Sequence, residues 1–208
     1  MEIVFLEKGS LGNDPDLSYF SELGHVTFYE LTKPEEVPER IRDADVIIVN
    51  KIPMNEATLS GASHLKLVAL TATGMNNIDF DYTNSHGIQV KNVAGYSTNA
   101  VAQHTFALLF YVLHRLAYYD NYVKSGAYCT NPGFSHFDEK FSELDGKTWG
   151  IVGMGAIGQR VASIAEAFGC HVIYYSTSGR NTDQPYERVD FEELLKRSDV
   201  ISLHAPLN

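Results

Sequence analysis

The stretch Trp149-Gly150-Ile151-Val152-Gly153-Met154-Gly155-Ala156-Ile157-Gly158 decides the fold of this chain. Its first four residues are typical of a buried strand, the glycines follow the spacing G-x-G-x-x-G, and an amphipathic helix is predicted over 156–168. This order of strand, glycines and helix is the one that a dinucleotide-binding βαβ unit requires. There Gly153 allows the tight turn, Gly155 lets the backbone approach a pyrophosphate, and Gly158 lets the helix pack on the strand. A tight turn that binds no ligand is the simpler alternative, and the strand and helix on either side favour the dinucleotide.

The position that usually binds the adenosine ribose lacks its acidic residue. An Asp or Glu is expected ~20 positions after the glycines, where it accepts a hydrogen bond from the ribose 2′-hydroxyl. Here Ser176 follows the predicted strand 171–175, with Thr177 and Arg180 after it. Hydroxyls and an arginine can bind a 2′-phosphate that a carboxylate would repel. We therefore predict that NADP is tolerated or preferred over NAD; an exposed polar loop whose Arg180 faces only solvent is the other interpretation, and the sequence leaves both open.

Short apolar runs alternate with helical segments on both sides of this motif. Strands are predicted at 3–6, 26–29, 46–49, 67–70 and 88–90 with helices at 34–41 and 79–85, and then strands at 148–152, 171–175 and 199–204 with helices at 156–168 and 191–197. Such alternation predicts βαβ units and mostly parallel sheets. We interpret the last three strands as one mononucleotide half of a doubly wound sheet, and expect its fourth strand to be missing from this sequence.

The most helical stretch, 99–120, joins the two βαβ runs. It is apolar almost all round over 106–113, so we expect it to be buried between layers, domains or subunits. Four tyrosines follow in a polar connector, at positions 118, 119, 122 and 128. Such a cluster suits a dimer interface, although ordinary core and surface tyrosines would look the same.

Composition excludes several classes of function. The 208 residues are 44% hydrophobic and carry a net charge of −10, which argues against disorder and against binding to nucleic acid or an anionic membrane. Cys129 and Cys170 cannot make a disulfide framework. The N-terminus lacks the basic and apolar regions of a signal peptide, and the longest apolar run, 106–113, is far shorter than the ~20 residues of a membrane span. We expect a cytoplasmic protein without a metal site.

Several blocks beyond the glycine motif carry a family resemblance. One is Thr71-Ala72-Thr73-Gly74-Met75-Asn76-Asn77; together the blocks cover 50–53, 67–79, 90–93, 96–105, 144–148, 150–158 and 198–207. In this order they resemble the D-isomer-specific 2-hydroxyacid dehydrogenase family, most closely its glycerate dehydrogenase (hydroxypyruvate reductase) branch. The resemblance implies an α/β fold: a flavodoxin-like parallel-sheet substrate domain at 1–98, an interdomain and dimerisation helix with its connector at 99–145, and the first half of a Rossmann dinucleotide-binding domain at 146–208.

The resemblance also implies a substrate site in the first domain. Lys51, Thr73 and Gly74 would lie at the carboxylate of a small 2-oxo or 2-hydroxy acid, such as hydroxypyruvate or glyoxylate, and Met75 would also bind this substrate. The residues agree, since 71–77 follows a predicted parallel strand, where α/β sheets bind their ligands. A solvated lysine and an ordinary glycine turn are the alternatives for Lys51 and Gly74.

The cofactor site implied by the resemblance holds NAD or NADP. Val101 would line the nicotinamide pocket, Ala156 and Ile157 the pyrophosphate, and Ala205 and Pro206 the adenosine portion. Two histidines that could serve as bases, His104 in the predicted buried helix and His204 at a strand end, are interpreted as structural.

The catalytic residues of the resembled family are an Arg, a Glu and a His, and they lie beyond the block that ends at Leu207. None of them is expected in this sequence. We therefore expect an N-terminal portion of a homodimeric dehydrogenase that is inactive on its own. Two alternatives remain open: a non-catalytic NAD(P)H-binding module, and a dimerisation module that binds no nucleotide.

Overall fold

The computed structural model describes residues 1–205 of the chain. The chain divides into two compact units, Met1–Tyr96 and Ser97–Asn208. No helix within residues 1–205 combines the length and the apolar character needed to cross a membrane.

The first unit is a parallel sheet with helices between its strands. Its elements are β1 (Glu2–Phe5), α1 (Phe20–Leu23), β2 (His25–Phe28), α2 (Val37–Arg40), β3 (Val46–Val49), α3 (Glu56–Leu59), β4 (Leu67–Leu70), α4 (Phe80–Ser85) and β5 (Gln89–Lys91). The sheet order is β2-β1-β3-β4-β5 with every pair parallel, which is the flavodoxin-like order predicted for this unit. All five predicted strands are present, and those at 46–49 and 67–70 have the predicted bounds.

The central strand β3 is buried on both faces of the sheet. Ile47 and Val49 point into one core cluster, while Ile48 packs with Ile3 and Phe5 in a second cluster on the opposite face. A strand buried on both sides has no polar face, so it reads as a continuous β-branched run rather than an alternating one.

The second unit combines a helical segment with a second parallel sheet. Its elements are α5 (Thr98–Leu113), α6 (Leu116–Lys124), α7 (Ala127–Thr130), β6 (Thr148–Val152), α8 (Ala156–Ala167), β7 (His171–Tyr175), β8 (Glu187–Arg188), α9 (Phe191–Arg197) and β9 (Val200–Leu203). The sheet order is β8-β7-β6-β9, again all parallel.

The expectation that the fourth strand is missing is wrong. β9 pairs with β6 on the side away from β7, with Ile151 opposite Ser202, so it occupies the fourth position of the order 3-2-1-4. The third position belongs to β8, which the sequence analysis missed. β8 consists of only Glu187 and Arg188, both exposed, and so short a charged strand leaves no hydrophobic pattern to recognise.

The pairing of β6 with β9 includes a buried polar contact. Trp149 on β6 is fully buried, and its indole Nε1–H donates to Ser202 Oγ on β9 at 2.9 Å. On its other side the indole ring packs against Phe106 of α5, with ring centroids 4.7 Å apart. One aromatic residue therefore links α5 to strands β6 and β9 of the second sheet.

The predicted helix at 99–120 is two helices. Arg115 adopts the left-handed conformation at φ 53°, which ends the first helix and starts the second. Neither Gly nor Pro marks this break, so the sequence pattern runs through it. The expected burial holds for only one face of α5: Ala102 and Phe106 are buried, whereas Leu108 and Val112 are 57% and 64% exposed.

Candidate functional site

The turn after β6 packs closely against the segment after β9. Gly153 has φ +95°, and a Cβ atom at this position would lie 2.7 Å from the amide nitrogen of Ala205 and 2.8 Å from the carbonyl carbon of His204. The Gly153 N–H donates to the Tyr175 carbonyl at the end of β7. The ends of three neighbouring strands thus meet at this glycine, at the point of the sheet where α/β proteins bind nucleotides.

The other two glycines of the motif face opposite environments. A Cβ atom on Gly158 would lie 2.2 Å from the Gly153 carbonyl oxygen, so α8 can approach β6 this closely only without a side chain there. A Cβ atom on Gly155 would meet no atom of residues 1–205 within 4 Å. Gly155 therefore has no packing reason to be glycine, and the space beside its backbone is open to a ligand.

The start of α8 presents to that space hydrogen-bond donors that have no partner within the described part of the chain. Gly155 is the N-cap residue and provides no side-chain cap, and the first turn contains no acidic residue. The amides of Ala156, Ile157 and Gly158 precede the first helical bond, which runs from the Gln159 N–H to the Gly155 carbonyl. These N–H groups and the positive end of the helix dipole suit a pyrophosphate, so the residues present fit a dinucleotide.

A tight turn at the end of β7 holds the three residues predicted for the ribose end of the nucleotide. Ser176 is buried, and its hydroxyl donates to the Arg180 carbonyl at 2.6 Å. The Arg180 N–H in turn donates to Ser178 Oγ at 3.3 Å, and Gly179 has φ +68°. Thr177 and the Arg180 side chain are exposed. Ser176 therefore shapes the turn, while Thr177 and Arg180 present the accessible polar groups.

The remaining residues predicted for the nucleotide differ in how the structure places them. Ala205 lies against Gly153, as described above, and Pro206 lies outside the described residues. Val101 is on the first turn of α5, 37% exposed.

The two histidines interpreted as structural have different surroundings. His104 lies on the exposed side of α5 in the single chain, and its interpretation as a structural residue stays a prediction. His204 is half-buried, and its Nε2 has no hydrogen-bond partner among residues 1–205. Burial lowers the pKa of His204, which favours a neutral imidazole at pH 7.

The residues predicted for the substrate lie at the carboxyl end of the first sheet. Lys51 follows β3, while Thr73, Gly74 and Met75 follow the adjacent strand β4. Lys51, Thr73 and Gly74 are exposed, and Met75 is half-buried against the core. The Thr73 hydroxyl donates to the Val93 carbonyl after β5 at 3.2 Å. Parallel pairing thus brings the three loops together at one edge.

Side chains that the sequence analysis did not single out link these loops. The Asn77 amide donates to the Ile52 carbonyl at 2.8 Å, and the Asn92 amide donates to the Thr73 carbonyl at 2.7 Å. Glu7, which follows β1, accepts hydrogen bonds from backbone amides of the Lys51 loop. Only the positions of these three residues in the sequence could have indicated their role. Each is a polar residue just beyond a parallel strand or in a loop that follows one.

The family comparison agrees with this geometry. A model described as "D-isomer specific 2-hydroxyacid dehydrogenase, NAD binding domain" matches residues 106–208. A hydroxypyruvate reductase from Blautia hydrogenotrophica is 36% identical, with 100% of this chain and 66% of the relative covered. The chain belongs to the D-isomer specific 2-hydroxyacid dehydrogenase family. The family predicted from the sequence is confirmed.

Other relatives extend the comparison without changing it. A glycerate dehydrogenase from Methylorubrum extorquens is 35% identical over 99% of this chain and 64% of the relative. A solved acyclic imino acid reductase in complex with NADPH and D-Arg has a TM-score of 0.86 and 33% identity, covering 100% of this chain and 66% of that one. The chain therefore spans about two thirds of the length of the relatives that it matches.

We predict that Gly155→Val and Gly158→Val act differently. Gly155→Val fills the open space beside the helix start, so the affinity for NADH and NADPH should fall by at least about tenfold while the melting temperature stays close to that of the wild type. Gly158→Val forces α8 away from β6 and should lower the free energy of unfolding by about 1–3 kcal/mol or more. Fluorescence titration and thermal melting measure the two effects.

The control is Gly133→Val, at an exposed loop position of the same unit where an added Cβ has only ordinary contacts. It should leave both binding and melting unchanged. Wild-type affinity in Gly155→Val would contradict the assignment of this space to the dinucleotide.

Proposed function

We propose that this protein supplies the substrate-binding and dinucleotide-binding parts of an NAD(P)-dependent dehydrogenase that interconverts a small 2-oxo acid and its 2-hydroxy acid. The observation that carries the proposal is the open space beside Gly155 at the start of α8, where the amides of Ala156, Ile157 and Gly158 have no hydrogen-bond partner among residues 1–205. We assign residues 1–98 to the substrate domain, 99–145 to an interdomain and dimerisation segment, and 146–208 to the nucleotide domain.

The proposed cofactor is NAD or NADP, whose nicotinamide ring exchanges a hydride with the substrate carbon. The amides of Ala156, Ile157 and Gly158 are assigned to its pyrophosphate, and the turn at Ser176 is assigned to the adenosine ribose. The family domain matched over 106–208 is an NAD-binding domain, which supports this assignment.

The proposed substrate is a small 2-oxo acid such as hydroxypyruvate or glyoxylate. The Lys51 ammonium and the backbone N–H groups near Gly74 are the exposed donors that would bind its carboxylate, and Thr73 and Met75 shape the same loop. Relatives named hydroxypyruvate reductase and glycerate dehydrogenase support the choice of a short, polar acid.

We predict that the 208-residue chain binds the nucleotide without turnover. The Arg, Glu and His that the family resemblance assigns to substrate orientation and proton transfer are not identified in this sequence. Absorbance at 340 nm with NADH or NADPH and hydroxypyruvate or glyoxylate should show no oxidation, while nucleotide fluorescence changes on titration. Clear turnover would place the proton-transfer residues within this chain, and absence of both signals would favour a module that binds no nucleotide.

We predict that NADPH binds at least as tightly as NADH. Arg180 is exposed beside the ribose-end turn, and a charge-assisted hydrogen bond to a 2′-phosphate corresponds to about tenfold or more in affinity. Arg180→Ala should therefore weaken NADPH binding and leave NADH binding unchanged. Arg42→Ala, which removes an exposed arginine from the first unit, is the control for net charge. A strong preference of the wild type for NADH would contradict the assignment of Arg180.

We further propose a homodimer that pairs through the exposed apolar face of α5 and the start of α6. Leu108, Tyr111, Val112 and Leu116 are large apolar side chains that stay exposed in the single chain. The double substitution Leu108→Glu/Val112→Glu should convert a dimer into a monomer in sedimentation, because it buries two charges on each side of the interface. Leu31→Glu, at a 74% exposed position of the first unit, should remain dimeric. A monomeric wild-type chain would contradict the proposal.

A further inference from the structure

A buried carboxylate lies beneath the Lys51 loop. Glu7 lies two residues after the end of β1 and is only 8% exposed. Its Oε2 accepts hydrogen bonds from three consecutive backbone N–H groups, those of Asn50 at 2.7 Å, Lys51 at 2.8 Å and Ile52 at 3.2 Å. Successive amides that converge on one point form an anion-binding nest, and here the chain fills the nest with its own carboxylate.

The backbone of Glu7 is itself held in place. Its carbonyl accepts hydrogen bonds from the Ser10 N–H at 3.0 Å and from the Ser10 hydroxyl at 2.7 Å. The next residue, Lys8, donates its N–H to the Tyr29 carbonyl after β2. The carboxylate therefore projects from a fixed point at the edge of the sheet toward the loop after β3.

Two carbonyl groups of the Lys51 loop accept hydrogen bonds from the loop after β4. The Asn77 side-chain amide donates to the Ile52 carbonyl at 2.8 Å and to the Asn50 carbonyl at 3.5 Å. The Asn77 carbonyl accepts the N–H of Met54 at 2.8 Å, which ties the loops after β3 and β4 together. Both N–H groups and carbonyl groups of this short loop are thus hydrogen-bonded within the first unit.

The Lys51 side chain stands in contrast to this fixed backbone. It is exposed, and within residues 1–205 its ammonium forms no ion pair. Burying a carboxylate carries a large desolvation cost, which strong hydrogen bonds must offset. Water can satisfy the amides of an exposed loop. Here a buried carboxylate accepts from three of them instead, at a single oxygen atom.

We propose that Glu7 is a positioning residue, whose carboxylate holds the Asn50–Ile52 backbone so that the Lys51 ammonium meets the carboxylate of the substrate. This inference rests on the substrate site proposed above. It assigns to Glu7 no contact with substrate and no proton transfer. Because a negative charge near the site by itself repels an anionic substrate, positioning and simple electrostatics predict opposite results when Glu7 is neutralised.

The first measurement is amide hydrogen exchange in the full 208-residue chain, without ligand. The amides of Asn50, Lys51 and Ile52 should exchange more slowly than the exposed loop amide of Asn13. In Glu7→Gln, which removes the charge and keeps the shape, their exchange should become about tenfold faster or more. Glu35→Gln removes a carboxylate from an exposed position of the same unit and should change nothing.

The second measurement is the binding of oxamate, an unreactive analogue of a 2-oxo acid, followed by NMR shifts at Lys51 and Gly74. Glu7→Gln should weaken oxamate binding by about tenfold with its remaining amide spectrum intact, and Glu7→Asp, which keeps the charge, should retain more of the affinity. If Glu7→Gln does not fold, Glu7→Asp and the wild-type exchange rates still test the proposal.

Two results would overturn the inference: unprotected amides at 50–52 in the wild type, or oxamate affinity in Glu7→Gln that is unchanged or higher. Absence of oxamate binding by the wild type would instead contradict the proposed substrate site. The exchange measurement needs no ligand, and would then still decide whether Glu7 fixes the loop.

Discussion

Parallel strand pairing is the constraint on which both proposed sites depend. In the order β2-β1-β3-β4-β5, and again in β8-β7-β6-β9, every strand points the same way, so all carboxyl ends meet at one edge of each sheet. Residues far apart in the sequence are therefore adjacent in space. Glu7, Lys51 and Asn77 meet at the carboxyl end of the first sheet, and Gly153 and Ala205 meet at the carboxyl end of the second. The helices that return the chain between parallel strands leave these edges uncovered.

Backbone proximity distinguishes the glycines of the dinucleotide motif from one another. Gly153 and Gly158 are required by the fold, since a side chain at either would collide with backbone atoms. No contact within the described residues requires glycine at position 155. The lack of a side chain there instead leaves the space beside α8 open. The proposed nucleotide binding and the fold stability therefore depend on different glycines within the same six residues.

Strong hydrophobic patterns predicted the fold well, and weak ones failed. The run at 46–49 and the strand at 148–152 have the predicted bounds because buried parallel strands are continuous and β-branched. β8 was missed because it has two exposed charged residues, and counting without it wrongly removed the fourth strand. The helix break at Arg115 was missed because the left-handed residue there is neither Gly nor Asn.

The sequence by itself determined the family, the alternation of strands and helices, and the glycine spacing, because these are local patterns or ordered blocks along one chain. Only the tertiary structure decided which strand lies beside β6, and which faces of α5 remain exposed. It alone revealed that Glu7 and Asn77 hold the Lys51 loop. The physical reason is that hydrogen bonds between residues 25 to 45 positions apart leave no periodic trace in the sequence, and arise only once parallel pairing brings the strand ends together.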